Sequence, residues 1–254
     1  MSSLGVAAII FGCVFGGSLL GMLLRTIVPA DHLSQESKDV VKLGTGLIAT
    51  MAALLLGLLT ASAKGSFDAQ TNEVKETATN IILLDRVLAH YGPDAAALRG
   101  KLRAVVEQRV QSIWPTDGAS TKPLETSGAP NQSEGIMEQI QALSPKDDGQ
   151  RKLQAKAMEL AAAIVRTRWL LFEQAATRSI PMPFLVVVVF WLTLIFTSFG
   201  LLGPPNPIVI GVLAFSALSV SGALFLILEM DRPFEGLLRI SGEPMHYALA
   251  HMGQ

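Results

Sequence analysis

His32, His90, His246 and His251 are the side chains in this sequence best suited to moving protons or holding zinc. No two of them stand at the i, i+4 spacing that puts paired imidazoles on one helix face, so a helical zinc site is not expected. Asp85-Arg86 and His90-Tyr91 fall at the end of a long helical stretch, where a buried polar cluster is expected in preference to catalysis. A single cysteine, Cys13, excludes an internal disulfide framework and a cysteine-based metal site. The nucleophile elbow GxSxG, the phosphate loop GxxxxGK and the dinucleotide fingerprint GxGxxG are all missing. No catalytic residue, metal or cofactor is expected, and the chain does not read as an enzyme.

A different chemistry is written at 46–68. Gly46, Thr50, Ala53, Gly57, Ala61 and Lys64, continuing to Asp68, recur in steps of three and four and so share a helix face. The leucines Leu47, Leu54, Leu55, Leu58 and Leu59 occupy other faces. A stripe of small and weakly polar residues has two readings. It lets helices pack closely in lipid, or it forms the smooth, uncharged wall of a narrow ion path. Thr60 and Phe67 join the stripe as pore-lining candidates, Phe67 as a constriction near the membrane exit. The first apolar run offers Gly12-xxx-Gly16 and Gly17-xxx-Gly21, for which helix packing is the expected use.

The elements that must position this stripe follow from composition. Half of the 254 residues are hydrophobic and only 16% are charged, against roughly 25% charged in an average globular chain. The net charge of -1 leaves no global basic field for nucleic acid. Four runs, 4–24, 44–63, 180–202 and 207–228, carry no Asp, Glu, Lys, Arg or His. Each has about the 20 residues needed to cross a hydrocarbon layer of roughly 30 Å. The first run lacks the basic start of a secretory signal and is too long for one, so it is read as a retained span. Proton-coupled carriers and voltage sensors normally place ionisable groups inside their spans, and these spans have none.

Four crossings put both termini and the middle segment on one side. Fifteen Lys and Arg lie in 64–179 and two more, Arg232 and Arg239, in the tail. The opposite side holds only Arg25, Lys38 and Lys42. The positive-inside rule makes the richer side cytoplasmic. The expected organisation is a membrane hairpin over 1–63, a cytoplasmic helical domain over 64–179, a second hairpin over 180–228 and a cytoplasmic tail over 229–254. Glu229, Asp231 and Arg232 mark the cytoplasmic boundary, where they would either anchor the span or ring a vestibule.

The middle segment reads as helical. From residue 44 to Tyr91 there is no proline, and Phe67, Val74, Ile81 and Leu88 recur every seven residues, which keeps one stripe against a packing partner. The second span is therefore expected to continue as one helix to Gly92-Pro93, with a new helix beginning there and ending near Trp114. Residues 115–135 read as a flexible loop, 136–143 as a short helix and 148–178 as a second long helix. Pro181 and Pro183 should interrupt the junction with the third span. A short helix over 245–252 completes an all-α membrane protein.

Two stretches, GLLTASAKGSFDAQTNEVKETATNIILLDRVLAHYGP (57–93) and LEMDRPFEGLLRISGEP (228–244), resemble the bacterial bestrophin-like domain family. The resemblance covers nearly the whole chain and implies a bestrophin-like fold. It also implies kinship with bestrophins, pentameric anion channels with cytoplasmic termini and long helices extending from the membrane. The expectation is thus an oligomeric, anion-conducting channel of the bacterial inner membrane, a homo-pentamer by family analogy. The second span would line the pore, and inorganic ions such as chloride would pass. The rival expectation is a membrane-anchored scaffold whose cytoplasmic helices bind a protein partner. No acidic calcium-binding cluster is present, so calcium gating is not implied.

Overall fold

The computed structural model describes residues 2–29, 34–115, 130–176, 180–234 and 236–253. Among these residues every regular element is a helix. They run in the order α1 (Ser3–Ile27), α2 (Gln35–Tyr91), α3 (Ala96–Ile113), α4 (Pro130–Gln141), α5 (Asp148–Ala176), α6 (Met182–Leu202), α7 (Pro207–Met230) and α8 (Glu243–His251). The helices α1, α2, α6 and α7 are each long and apolar enough to cross a membrane. At 1.5 Å per residue, the 57 residues of α2 make about 85 Å of helix. Only about 20 of them fit within a hydrocarbon core.

The helix ends follow from local chemistry. The Ser2 hydroxyl accepts the Gly5 amide proton at 3.2 Å and starts α1, while Asn206 caps α7 by accepting from Val209 at 2.8 Å. Gly92, at φ 113°, stops α2 in a conformation that costs a glycine little. Pro93 opens the short 3-10 turn that leads into α3. Gln150 donates to the Tyr91 carbonyl at 3.0 Å, satisfying one of the orphan acceptors at the end of α2.

The observed boundaries correct some of the expected ones. Of the loop expected over 115–135, residues 116–129 lie outside the described residues, but Pro130–Gln141 is helical. Pro130 sits at the start of α4, where its fixed φ favours the first turn. The long helix expected over 148–178 is described as Asp148–Ala176, and the rest of that expectation lies outside the described residues. Pro181 precedes α6 in extended conformation (φ -65°, ψ 124°), the interruption its ring favours. In place of stopping at 228, α7 continues to Met230 and so takes Glu229 into its last turn.

The chain forms two compact units, one of 1–66 with 179–232 and one of 67–178 with 233–254. In the first unit α1 and α6 pack backbone to backbone. A Cβ on Gly17 would meet Thr193, and one on Gly21 would lie 2.0 Å from the Thr197 carbonyl oxygen. Because 17 pairs with 193 and 21 with 197, the two helices run parallel, and their N-termini lie at the same end of the unit. Arg25, near the end of α1, donates to the Gly203 carbonyl after α6, which joins the other ends. Gly12 and Gly16 have open space around them, so only the Gly17-xxx-Gly21 pair serves this contact.

In the second unit α2 contributes Val74, Ile81 and Leu88, all buried, to one core with Leu98, Leu102, Val106 and Val110 of α3. Ile140 of α4, Ala157 and Leu160 of α5, and Met245 and Ala248 of α8 complete it. Each fully buried aliphatic chain contributes about 1.5–3 kcal/mol of transfer free energy. The tail is fastened by Trp114, whose indole nitrogen donates to the Ile240 carbonyl at 2.9 Å. The Trp114 ring lies edge-on to Phe234, and Gly242 leaves room for the ring, since a Cβ there would sit 2.7 Å from it.

Candidate functional site

Within the first unit α2 presents three faces, the second and third of them adjacent, at 100° per residue. Ala52, Leu59 and Ala63 form one and are buried against the neighbouring helices. Leu47, Leu54 and Leu58 form the second, an exposed leucine ridge in which Leu54 is 72% accessible. Thr50, Ala53, Gly57, Thr60, Ala61 and Lys64 form the third, and all six are exposed. Nothing lies within 4 Å of a Cβ built on Gly46 or Gly57.

The hydroxyls on this third face turn back onto their own helix. Thr50 donates to the Gly46 carbonyl at 3.0 Å and Thr60 to the Leu56 carbonyl at 2.8 Å. The polar protons are thereby satisfied inside the helix. What the face offers to its surroundings is small, weakly polar and uncharged until Lys64.

Phe67 does not share the exposure of these six. It is half-buried and packs against the core of the second unit, as its place in the Phe67, Val74, Ile81, Leu88 series requires. Of the boundary charges, Asp231 and Arg232 are half-buried, and Glu229 is only 4% accessible. The extension of α7 to Met230 carries the Glu229 side chain inward, so it is not a charge on an open rim.

Sequence reasoning expected a buried polar cluster at Asp85 but missed the partners that form it in the second unit. Arg99 forks onto Asp85, Nε to Oδ1 and Nη2 to Oδ2, both at 2.9 Å. The Gly253 amide donates to Oδ2 at 3.0 Å, and Arg103 reaches the Met252 carbonyl at 2.6 Å. Burial pushes the Asp85 carboxyl up, but the hydrogen bonds from Arg99 and Gly253, with the charges of Arg99 and Arg86, outweigh it and hold its pKa below 3.8. The same bonds raise Arg99. Arg86 and His90, expected beside Asp85 in a buried cluster, are exposed. The His90 Nδ1 instead faces the Arg86 carbonyl at 2.7 Å, one turn back on α2. Asp85, Arg99 and Gly253 form a structural clamp between α2, α3 and the tail. Among the described residues no three His, Cys, Asp or Glu stand together as metal ligands, and His32 lies outside them.

Residues 12–245 match the family model of the Bestrophin-like domain. The chain belongs to this family. Its fold is that of the bestrophins: a crystal structure of a bacterial bestrophin homolog from Klebsiella pneumoniae, carrying a single substitution, superposes with a TM-score of 0.65. The likeness covers 95% of this chain and 99% of that one at 16% identity. No protein of curated function matches the chain. In this bestrophin-like chain, the four apolar helices and the long α2 are the features that the fold supplies to any function.

Proposed function

We propose that the chain assembles into a homo-oligomeric channel of the bacterial cytoplasmic membrane that conducts inorganic anions, with the third face of α2 lining the path. The observation that carries this reading is the exposed face of Thr50, Ala53, Gly57, Thr60, Ala61 and Lys64, open around Gly57 and separated from the leucine ridge on the same helix. Lipid tails suit the ridge, and a second copy or water suits the small face. Family membership supports an assembly of this kind, and the pentamer and chloride are the family's analogy applied to this chain.

The chemistry is that of a weakly interacting wall. Conduction needs binding favourable enough for entry and weak enough for exit. Threonine protons held by helix carbonyls make no strong ion site. Lys64 repeats once per subunit around the axis and raises the local anion concentration at one mouth. The parallel α1 and α6 put the starts of both hairpins at one end, and the Lys and Arg excess there makes that end cytoplasmic. Both termini then lie in the cytoplasm.

Chloride efflux from liposomes reconstituted with the purified chain tests the reading. Efflux well above empty vesicles, reduced by Lys64→Gln, is expected. Vesicles as tight as protein-free ones, together with a monomer in particle images, would replace it with the anchored scaffold.

A further inference from the structure

A cavity of about 140 Å³, partly open to solvent, lies inside the second unit among α2, α3, α5 and the tail. Its walls are almost wholly apolar. Val106 and Ile164 line them, with the rings of Trp114 and Phe234, which meet edge-on at a centroid distance of 6.4 Å. Arg109 and Arg168 also border it, and both are already engaged within the chain, so neither calls for a counter-ion. Thr50, Thr60, Thr71 and Thr79 of α2 each give their hydroxyl proton to the carbonyl one turn back. Thr77 lines the cavity from the same helix and makes no such bond: its hydroxyl oxygen is buried with no hydrogen-bond partner in the chain. A hydroxyl taken from water and left unbonded destabilises the fold, and a bound group that pairs with it recovers the loss.

We propose that this cavity binds a small neutral aromatic carrying one hydroxyl, a monocyclic phenol. Apolar cavities of about 150 Å³ accept a benzene ring, so the volume suits a single six-membered ring. The ring packs against Trp114 and Phe234, a contact that aromatic pairs favour beyond their burial. Its hydroxyl shares one hydrogen bond with Thr77, either oxygen being able to donate. An anion of the same size would bring a charge into apolar walls with no free cation to meet it, and it is rejected. The site belongs to the second unit and does not depend on whether the exposed face of α2 conducts.

The cavity carries its own reporter in Trp114. The chain has three tryptophans, and Trp169→Phe with Trp191→Phe leaves Trp114 as the only emitter. The full chain with these two changes, held in polymer-bounded lipid discs at neutral pH, is titrated with 4-bromophenol, whose heavy atom quenches a nearby indole. Bromobenzene, which has no hydroxyl, is titrated in parallel. Saturable quenching by both is expected. Thr77→Val keeps the outline of the side chain and removes the hydroxyl. It should weaken 4-bromophenol about fivefold, the worth of one neutral hydrogen bond, and leave bromobenzene unchanged. The thermal unfolding midpoint of the empty protein should not fall in this variant, since an unbonded hydroxyl is lost. Val165→Phe and Ala161→Leu each fill the cavity and should abolish saturable quenching, read on whichever variant keeps its unfolding midpoint. Non-saturating quenching, an equal effect of Thr77→Val on the two probes, or saturable quenching that survives a filled cavity in a folded variant would overturn the proposal.

Discussion

Gly200 of α6 lies so close to Ser18 of α1 that a Cβ added to the glycine would stand 2.0 Å from the Ser18 carbonyl oxygen. Gly21 faces Thr197 across the same contact at the same 2.0 Å. Backbone cannot yield as a flexible side chain does, so Gly200→Ala or Gly21→Ala must push the helices apart. Overpacking of this kind costs about 1–3 kcal/mol. Thermal unfolding of the detergent-solubilised chain should show a lowered midpoint for both, while Gly12→Ala and Gly16→Ala, with open space around them, leave it unchanged. Equal behaviour of all four variants would contradict the parallel α1–α6 contact.

Asp85 and Arg99 should dominate the acid response of the second unit. The folded pKa of Asp85 lies below its ordinary 3.8, so its stabilisation is complete above about pH 4. It is lost as the pH falls through the lower folded value, because the unfolded chain takes up the proton first. Asp85 is only 2% accessible, and stranding Arg99 by Asp85→Asn should cost on the order of 3 kcal/mol at neutral pH. The variant should also lose stability less steeply between pH 4 and the acid limit. Circular dichroism melts across that range check both effects.

Trp114 should hold the tail in place. It gives a hydrogen bond to Ile240, an edge contact to Phe234 and a surface to Gly242. Trp114→Ala removes all three and should cost about 3 kcal/mol locally. Arg239 is exposed beside this anchor. Trypsin should then cut after Arg239 markedly faster in the variant than in the native chain, with cleavage elsewhere little changed.

Much of the fold was legible before the structure because its signals are local. The length of α2 follows from the lack of a proline before Gly92-Pro93, and its buried edge from the spacing of Val74, Ile81 and Leu88. The partners of these features were not legible. Gly17-xxx-Gly21 announces a close approach but does not name Thr193 and Thr197, which stand far along the chain. Asp85 pairs with Arg99 on the next helix and with the amide of Gly253, not with its sequence neighbours Arg86 and His90. Phe67 belongs to the heptad that ends in Leu88, and that membership predicts its packing better than its nearness to the membrane exit did. The burial of Glu229 was not legible because the last turn of α7 was not foreseen.

The central claim is that one particular face of α2 meets the permeating ion. On a Cys13→Ser background, Thr60→Cys places a thiol on the small face and Leu58→Cys places one on the leucine ridge of the same helix turn. Chloride efflux from reconstituted liposomes is then measured before and after a water-soluble, negatively charged thiol reagent. The account predicts that efflux through Thr60→Cys falls close to that of empty vesicles, while Leu58→Cys conducts as before. Block of the Leu58→Cys protein with Thr60→Cys untouched would place the ion on the other face and contradict it.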